Sequence, residues 1–432
     1  MMTLSLEELT HVKVYSASRH LEDSREAPAA VTVVSADEIT RYGWRTLADV
    51  LRSLRGFYTA YDRDYTYLGV RGFLRSGDYN SRILLLINGH RLNDNVYDSA
   101  QIGTEFPLDL DLIDHIEIVR GPSSSLFGTN AVFGVINVIT RRPTAETLVE
   151  TSGDASSYLG RSGRLTTSFQ LHGLSALLSG SLFRNQGEAA ITFPGLGAAE
   201  NLDGDHYAHG FGDLQFGSWR IQGLFSQRDK TVPTAPYNTN FNEADSSEDV
   251  RGYVDAGYHR DLNPATELDT RFYYDSYQSY GSGFFGGRSP LTRFAGVTEG
   301  YADWVGVETN LGHNIGRHHV TVGGEYQYSL RVNQKNYILG GPTVESSRNN
   351  PWLAAFYGEA ELKLASRLTL HAGGRFDYYD AFGATLSPRV ALIADLAAVP
   401  RSSTSMAELS ALQTPTSPIT PIPSWWNPPR YN

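Results

Sequence analysis

The 432-residue sequence contains no cysteine, only three methionines, and fewer basic than acidic residues: 36 Lys and Arg against 47 Asp and Glu. Without cysteine there is no disulfide framework and no thiolate metal site. A formal net charge of −11 argues against a nucleic-acid partner, because a surplus of carboxylates repels phosphates. No run of about 18 apolar residues occurs, and the strongest, Ile83 to Ile87, has the length of a buried strand. That excludes a helical membrane span. The H-E-x-x-H, P-loop and G-x-S-x-G patterns are all missing, so nothing points to an enzyme. Met1 to Leu9 has no basic region, apolar core or small-residue cleavage site and does not read as a signal peptide. His318 and His319 are adjacent and point to opposite faces of a strand. His206 and His209, near Asp203 and Asp205, read as solvated loop groups, and Asp109 and Asp111 as solvated or capping carboxylates. No metal site and no cofactor are expected.

What is abundant is tyrosine and glycine, 25 and 42 residues. That excess suits a large antiparallel β-structure with aromatic girdles, and equally a soluble β-sandwich or a Gly-rich adhesin. The length calls for at least two units.

Residues 28–143 read as one compact α+β unit. Val31 to Val34 is a strand, and Ser35 with Glu38 forms a capping box that opens a short helix. A second helix, Thr46 to Leu54, places Leu47, Val50, Leu51 and Leu54 on one face. Tyr67 to Gly72 and Ile83 to Ile87 are strands, the second closed by the tight-turn pair Asn88-Gly89. Ile116 to Arg120 and Val135 to Thr140 are two more, and the glycines, proline and serines between them predict turns without helix or strand. From Ala145 long alternating segments begin. Leu268, Thr270, Phe272 and Tyr274 share one face, while Glu267, Asp269 and Arg271 share the other. Leu368, Leu370, Ala372 and Phe376 likewise alternate with Arg367, Thr369, His371, Arg375 and Asp377. Such strands face lipid outside and water inside. Short turns at Leu262 to Pro264 and Ala365-Ser366 alternate with long polar loops at 185–205, 230–247, 281–300 and 333–350, as outer-membrane barrels are strung.

The segment Asp114 to Arg142 carries a more specific signal. Glu117, Arg120, Gly121, Pro122, Phe127, Gly128, Gly134, Ile136, Asn137 and Thr140 match an E-x-x-R-G-P … G-x-I-N-x-x-T pattern. It resembles the plug domain of TonB-dependent outer-membrane receptors, and R-G-F at 71–73 and L-L-L-I-N-G-H at 84–90 extend the likeness. The resemblance implies an α+β plug domain (28–143) followed by an antiparallel transmembrane β-barrel (144–397). About 12 strands are countable against the 22 of plugged transporters, so the barrel reads as incomplete. It further implies import of a scarce small-molecule ligand such as a ferric siderophore, haem or cobalamin, driven through TonB, in the outer membrane of a Gram-negative bacterium. A truncated, non-transporting remnant or ligand-binding protein is the alternative. Within residues 1–27, Val12, Lys13, Val14, Tyr15, Ser16 and Ala17 stand where the family has its TonB box, an extended peptide that adds as a strand to TonB; the composition alone suggests a segment with nothing local to pair with. Arg71, Arg120 and Glu117 stand where plug charges pair with the barrel wall. Tyr58, Tyr61, Tyr65, Arg75, Tyr79 and Tyr97 fall in loops expected at the ligand-facing apex, where aromatic rings and a few polar groups suit a bulky amphipathic ligand. After Asp395 the alternation stops. Residues 398–432 read as a disordered tail or as the product of a frameshift, since the codons of Ser405 to Thr416 admit a family-like phrase in another frame.

Overall fold

A computed structural model of the chain describes residues 13–16, 22–23, 28–287, 289 and 292–394. The expectations for the signal peptide and the C-terminal tail, and those for Val12 and Ala17, lie outside the described residues.

The first unit runs through β1 (Lys13–Val14), β2 (Glu22–Asp23), β3 (Ala30–Ser35), α1 (Ala36–Tyr42), α2 (Leu47–Arg52), β4 (Phe57–Tyr61), β5 (Thr66–Val70), β6 (Ile83–Ile87), β7 (His90–Arg91), β8 (Ile113–Arg120), α3 (Ser124–Phe127) and β9 (Gly134–Thr140). Its sheet has the order β3-β8-β9-β6-β7, with β6 and β9 parallel and the other pairs antiparallel. Both faces are buried. Ile83, Leu85, Ile87, Ile116, Ile118, Ile136 and Val138 pack against the two longer helices. Leu84, Leu86, Val119 and Val135 pack on the other side with Leu126, Phe127 and Val14. Burial on both faces is why this sheet shows continuous apolar runs instead of alternation. Both helices start in capping boxes, Ser35 with Glu38 and Thr46 with Asp49, which satisfy otherwise orphaned N–H groups. The short helix α3 forms where the sequence suggested only turns. Gly128 and Gly134 serve close approach there: a Cβ on Gly134 would lie 2.4 Å from the Val119 carbonyl.

The second unit is a single antiparallel sheet of thirteen strands. They are β10 (Leu148–Ser156), β11 (Gly160–Leu171), β12 (Leu174–Asn185), β15 (Asp205–Phe216), β16 (Trp219–Val232), β17 (Asp245–Asn263), β18 (Thr266–Phe285), β19 (Phe294–Ile315), β20 (His318–Ile338), β21 (Thr343–Asn349), β22 (Trp352–Ala365), β23 (Leu368–Tyr379) and β24 (Gly383–Ala394); a separate hairpin, β13 (Ala190–Phe193) and β14 (Gly197–Glu200), follows β12. Each long strand pairs with the next, and β21 folds back on β20. Among the described residues β10 and β24 are the ends of the sheet, and the barrel is not closed.

The outer face exposes Leu178, Leu182, Phe225, Val254, Phe272, Val305, Val322, Phe356, Phe376 and Val390, whereas Asp255, Asp275, His371, Arg375 and Asp377 are buried on the inner face. Trp219 and Tyr258 meet near the short turns, and Tyr326, Trp352 and Tyr378 form a second aromatic row toward the long connections. Two girdles bounding an apolar band are the mark of a membrane wall. Two of the expected long loops, 281–300 and 333–350, are largely strand. β18 and β19 pair as far as Phe285 and Phe294, and β20 continues to Ile338. Above the lipid both faces meet water, so pairing persists while the apolar alternation that would announce it disappears.

Candidate functional site

Three sets of side chains link the plug to the wall or to its own N-terminal segment. At the apex, tyrosines gather. Tyr79 meets Tyr65 edge-on with centroids 5.5 Å apart, Tyr67 at 6.2 Å and Tyr97 at 5.7 Å, and Tyr97 meets Tyr277 of the wall at 6.5 Å. The Tyr79 hydroxyl lies 3.2 Å from that of Tyr237, on the connection between β16 and β17. Tyr79 and Tyr237 both adopt left-handed backbone conformations, φ 49° and 60°, which cost energy for residues carrying a ring. Tyr65 and Tyr277 both donate to the Asp249 carboxylate, at 3.0 and 2.7 Å. Burial pushes the Tyr97 phenol up to about 12, aided by the Asp94 and Asp249 carboxylates, so it remains a hydrogen-bond donor. Of the tyrosines expected at the apex, Tyr65, Tyr79 and Tyr97 come together. Tyr58 and Tyr61 sit on β4, not in a loop, and lie outside the cluster; Tyr58 covers Gly69 instead. Arg75 is exposed at the edge of a groove lined by Phe73, Asp78 and Phe133. Tyr67, Tyr237 and Tyr277 were not anticipated.

Below the apex the wall grips the plug backbone. Five arginines of the wall each donate to a plug carbonyl: Arg228 to Asp64 (2.8 Å), Arg251 to Arg91 (3.4 Å), Arg271 to Asn88 (3.0 Å), Arg375 to Leu126 (3.2 Å) and Arg389 to Pro28 (3.1 Å). Each also has a wall carboxylate. Arg228 holds Asp205 at 3.1 Å, Arg251 holds Asp275, Arg271 holds Asp255 at 3.1 Å, Arg375 holds Glu325 and Asp377 at 2.7 Å, and Arg389 has Glu359 at 3.9 Å. A planar fork with five donors can serve a carboxylate and a carbonyl at once, which lysine cannot match. Gly128 makes room for one of them: a Cβ there would meet the Arg375 Nε at 3.0 Å. Plug side chains join in as well. His90 inserts between Asp255 and Asp275, both at 3.0 Å, and Asp111 meets Arg164 at 3.0 Å.

Among the described residues the expected ion pairs are not the contacts that join plug and wall. Glu117 does not reach the wall. It accepts hydrogen bonds from the backbone of Tyr15 (3.2 Å) and Ser16 (2.9 Å) and from the Ser16 hydroxyl. Burial alone raises the Glu117 carboxyl, but His115 and the Ser16 and Tyr15 donors outweigh it and hold it below the usual range. Arg120 donates to Thr32 and to the Arg55 carbonyl, and burial beside Arg71 and Arg55 lowers its pKa. Arg71 is exposed. Neither arginine meets a carboxylate among the described residues; strand β8 places Arg120 opposite Ala30.

The N-terminal segment is likewise not unpaired. Lys13 and Val14 pair with Asp23 and Glu22, Val14 is fully buried in the second core, and Asn137 donates to the Ser16 hydroxyl at 2.8 Å. The expected loop histidines are also engaged: His206 faces Asp229 at 3.3 Å and His209 is buried against Tyr207. Asp203 and Asp205 hold Lys230 and Arg228 and are not solvated. Among the described residues no group of three or more His, Asp or Glu is arranged to hold a metal ion.

Comparison with known proteins is consistent with this architecture. Residues 23–135 match the TonB-dependent Receptor Plug Domain, and residues 199–406 match the TonB dependent receptor-like, beta-barrel. An iron-regulated outer membrane virulence protein of Vibrio cholerae is 24% identical over 403 residues, covering 87% of this chain and 56% of that protein. The pyoverdine outer membrane receptor of Pseudomonas aeruginosa, solved with pyoverdine, superposes with a TM-score of 0.72 at 16% identity, over 91% of this chain and 64% of that one. A ferric enterobactin receptor of the same organism gives a TM-score of 0.64 at 18% identity, over 88% and 61%. The chain spans about half the length of the curated relatives it matches.

Proposed function

The chain belongs to the TonB-dependent receptor family, and on that premise we propose that it serves energy-coupled import of a ferric siderophore across the outer membrane of a Gram-negative bacterium. The observation that carries this reading is the tyrosine cluster at the plug apex, built by the plug, an outer connection and the wall together. Phenol rings offer flat apolar faces and hydroxyl donors, which suits an amphipathic organic chelate better than a bare ion. Its relatives, one iron-regulated and one solved with pyoverdine, favour iron chelates over haem or cobalamin. Tyr58, Tyr61 and Arg75 would widen the contact from the rim. Lys13 to Ser16, within Val12 to Ala17, would be the strand offered to TonB once it leaves the plug. Arg71 and Arg120, together with Arg55, would meet carboxylates outside the thirteen described strands.

The test is uptake of a radiolabelled ferric chelate by cells with and without TonB, using a panel of siderophores. Uptake that persists without TonB, or fails for every iron chelate, overturns the reading. The open ends of the wall favour one second reading, a ligand-binding protein that does not transport. It predicts chelate binding by the purified chain with no TonB-dependent uptake.

A further inference from the structure

His90 follows the Asn88-Gly89 turn and carries its imidazole into the wall. The ring is buried, stacked on Tyr253 with centroids 4.1 Å apart and edge-on to Tyr273 at 5.5 Å. Its Nδ1 lies 3.0 Å from the Asp255 carboxylate of β17 and its Nε2 3.0 Å from the Asp275 carboxylate of β18. A neutral imidazole has one donor and one acceptor, so facing two carboxylates it leaves a lone pair against an oxygen; only the imidazolium satisfies both. The other charges around it agree. Arg271 and Arg251 answer Asp255 and Asp275 one for one. Glu308 of β19 and Glu325 of β20 line the same cavity from the far side. Arg91, the neighbouring cation on β7, turns away to Asn130 and the Phe127 carbonyl.

We propose that His90 is a proton-bearing positioning residue. Its imidazolium fastens the β6–β7 hairpin to β17 and β18, and loss of that single proton loosens the plug from the wall. The attachment reaches the N-terminal segment through few bonds. The Gly89 N–H donates to the Asn137 side chain at 3.0 Å, and Asn137 donates to the Ser16 hydroxyl at 2.8 Å, beside Glu117. A freed hairpin therefore withdraws one of the supports of the segment that Glu117 holds. Burial alone lowers the imidazole pKa, but Asp275 and Asp255 outweigh it and raise it above its ordinary value. The sign follows. The fastening is complete below the unfolded imidazole's value of about 6.5 and is lost as pH rises through the higher folded value.

The plug's attachment does not depend on which ligand is carried, so the test needs neither ligand nor TonB, and its failure leaves the import reading untouched. Amide hydrogen exchange of residues 88–91 is followed in the full chain in detergent from about pH 5 to about pH 9, corrected for the intrinsic pH dependence of exchange. Protection is expected to fall roughly tenfold or more across a single-proton transition with its midpoint above about 6.5. His90→Gln is expected to give low protection at every pH. Asp255→Asn, which keeps the ring and one carboxylate, is expected to move the midpoint to lower pH. A flat wild-type profile overturns the proposal, as does a His90→Gln protein that keeps the transition or an Asp255→Asn midpoint that does not move.

Discussion

Single residues decide how firmly the plug is held. Arg375 is fully buried, bonded to Glu325, Asp377 and the Leu126 carbonyl. Arg375→Met keeps bulk but leaves two carboxylates buried without their cation, a loss of about 3–5 kcal/mol, measurable as a lower denaturation midpoint in detergent. Gly128→Ala is expected to be destabilising as well, by about 1–3 kcal/mol, because the new methyl meets the same guanidinium in a left-handed backbone conformation, φ 74°. Asp64 gives a pH-dependent case. Burial pushes its carboxyl up to about 7, because Arg228 is committed to Asp205 and approaches Asp64 only to 3.5 Å. The folded chain therefore holds a proton that the unfolded chain releases near 3.9, and stability falls as pH rises from about 4 to about 7. Asp64→Asn is expected to flatten that part of the stability–pH curve. The glycines and the asparagine of the sequence pattern were legible as special positions. Their reasons were not, since Gly128 answers an arginine about 250 residues downstream and Asn137 answers Ser16, far apart in the sequence.

Among the elements, the two longer helices and the inner strands of the plug followed from a capping box, an apolar helix face and apolar runs, because those signals act over three or four residues. The N-terminal ribbon did not. The segment Lys13 to Ser16 looks unattached until Glu117 and Asn137 are brought to Tyr15 and Ser16, and the second core to Val14, by the sheet. The ion-pair reading of Glu117 failed for the same reason: a buried acid beside an edge strand serves whatever backbone N–H groups arrive there. Glu117→Gln removes the charge that makes these hydrogen bonds strong and is expected to expose the segment. Its proteolytic cleavage should quicken about tenfold or more for a loss of roughly 1.5–3 kcal/mol, and a TonB fragment should bind more tightly. Unchanged cleavage and binding would show that the ribbon is held without Glu117's charge, by Val14 burial and the Asn137–Ser16 bond.

For the whole molecule the wall sets the terms. Strand alternation, girdles and short turns were readable because lipid and water impose opposite chemistry on successive residues. The long connections were not readable, because water on both sides removes that contrast. The sheet's ends, β10 and β24, carry unpaired backbone groups on their outer edges among the described residues, and each such group in hydrocarbon costs several kcal/mol. The 432-residue chain alone is therefore expected to migrate identically before and after boiling in detergent electrophoresis. A version carrying strands that join β10 to β24 is expected to run faster unboiled, and a heat-sensitive band from the 432-residue chain would contradict this account.

Five wall guanidinium groups donate to carbonyl oxygens of the plug, and every amino acid has the same carbonyl. Through those bonds the wall recognises where the main chain runs and not which residue occupies it, Asp64, whose carboxylate also nears Arg228, excepted. Substitutions can accumulate in such a domain without matching changes in its housing, provided the path of the chain is kept. Inheritance can then treat the two as separable parts, and a domain of the same trace from a distant lineage would find its five fastenings already in place.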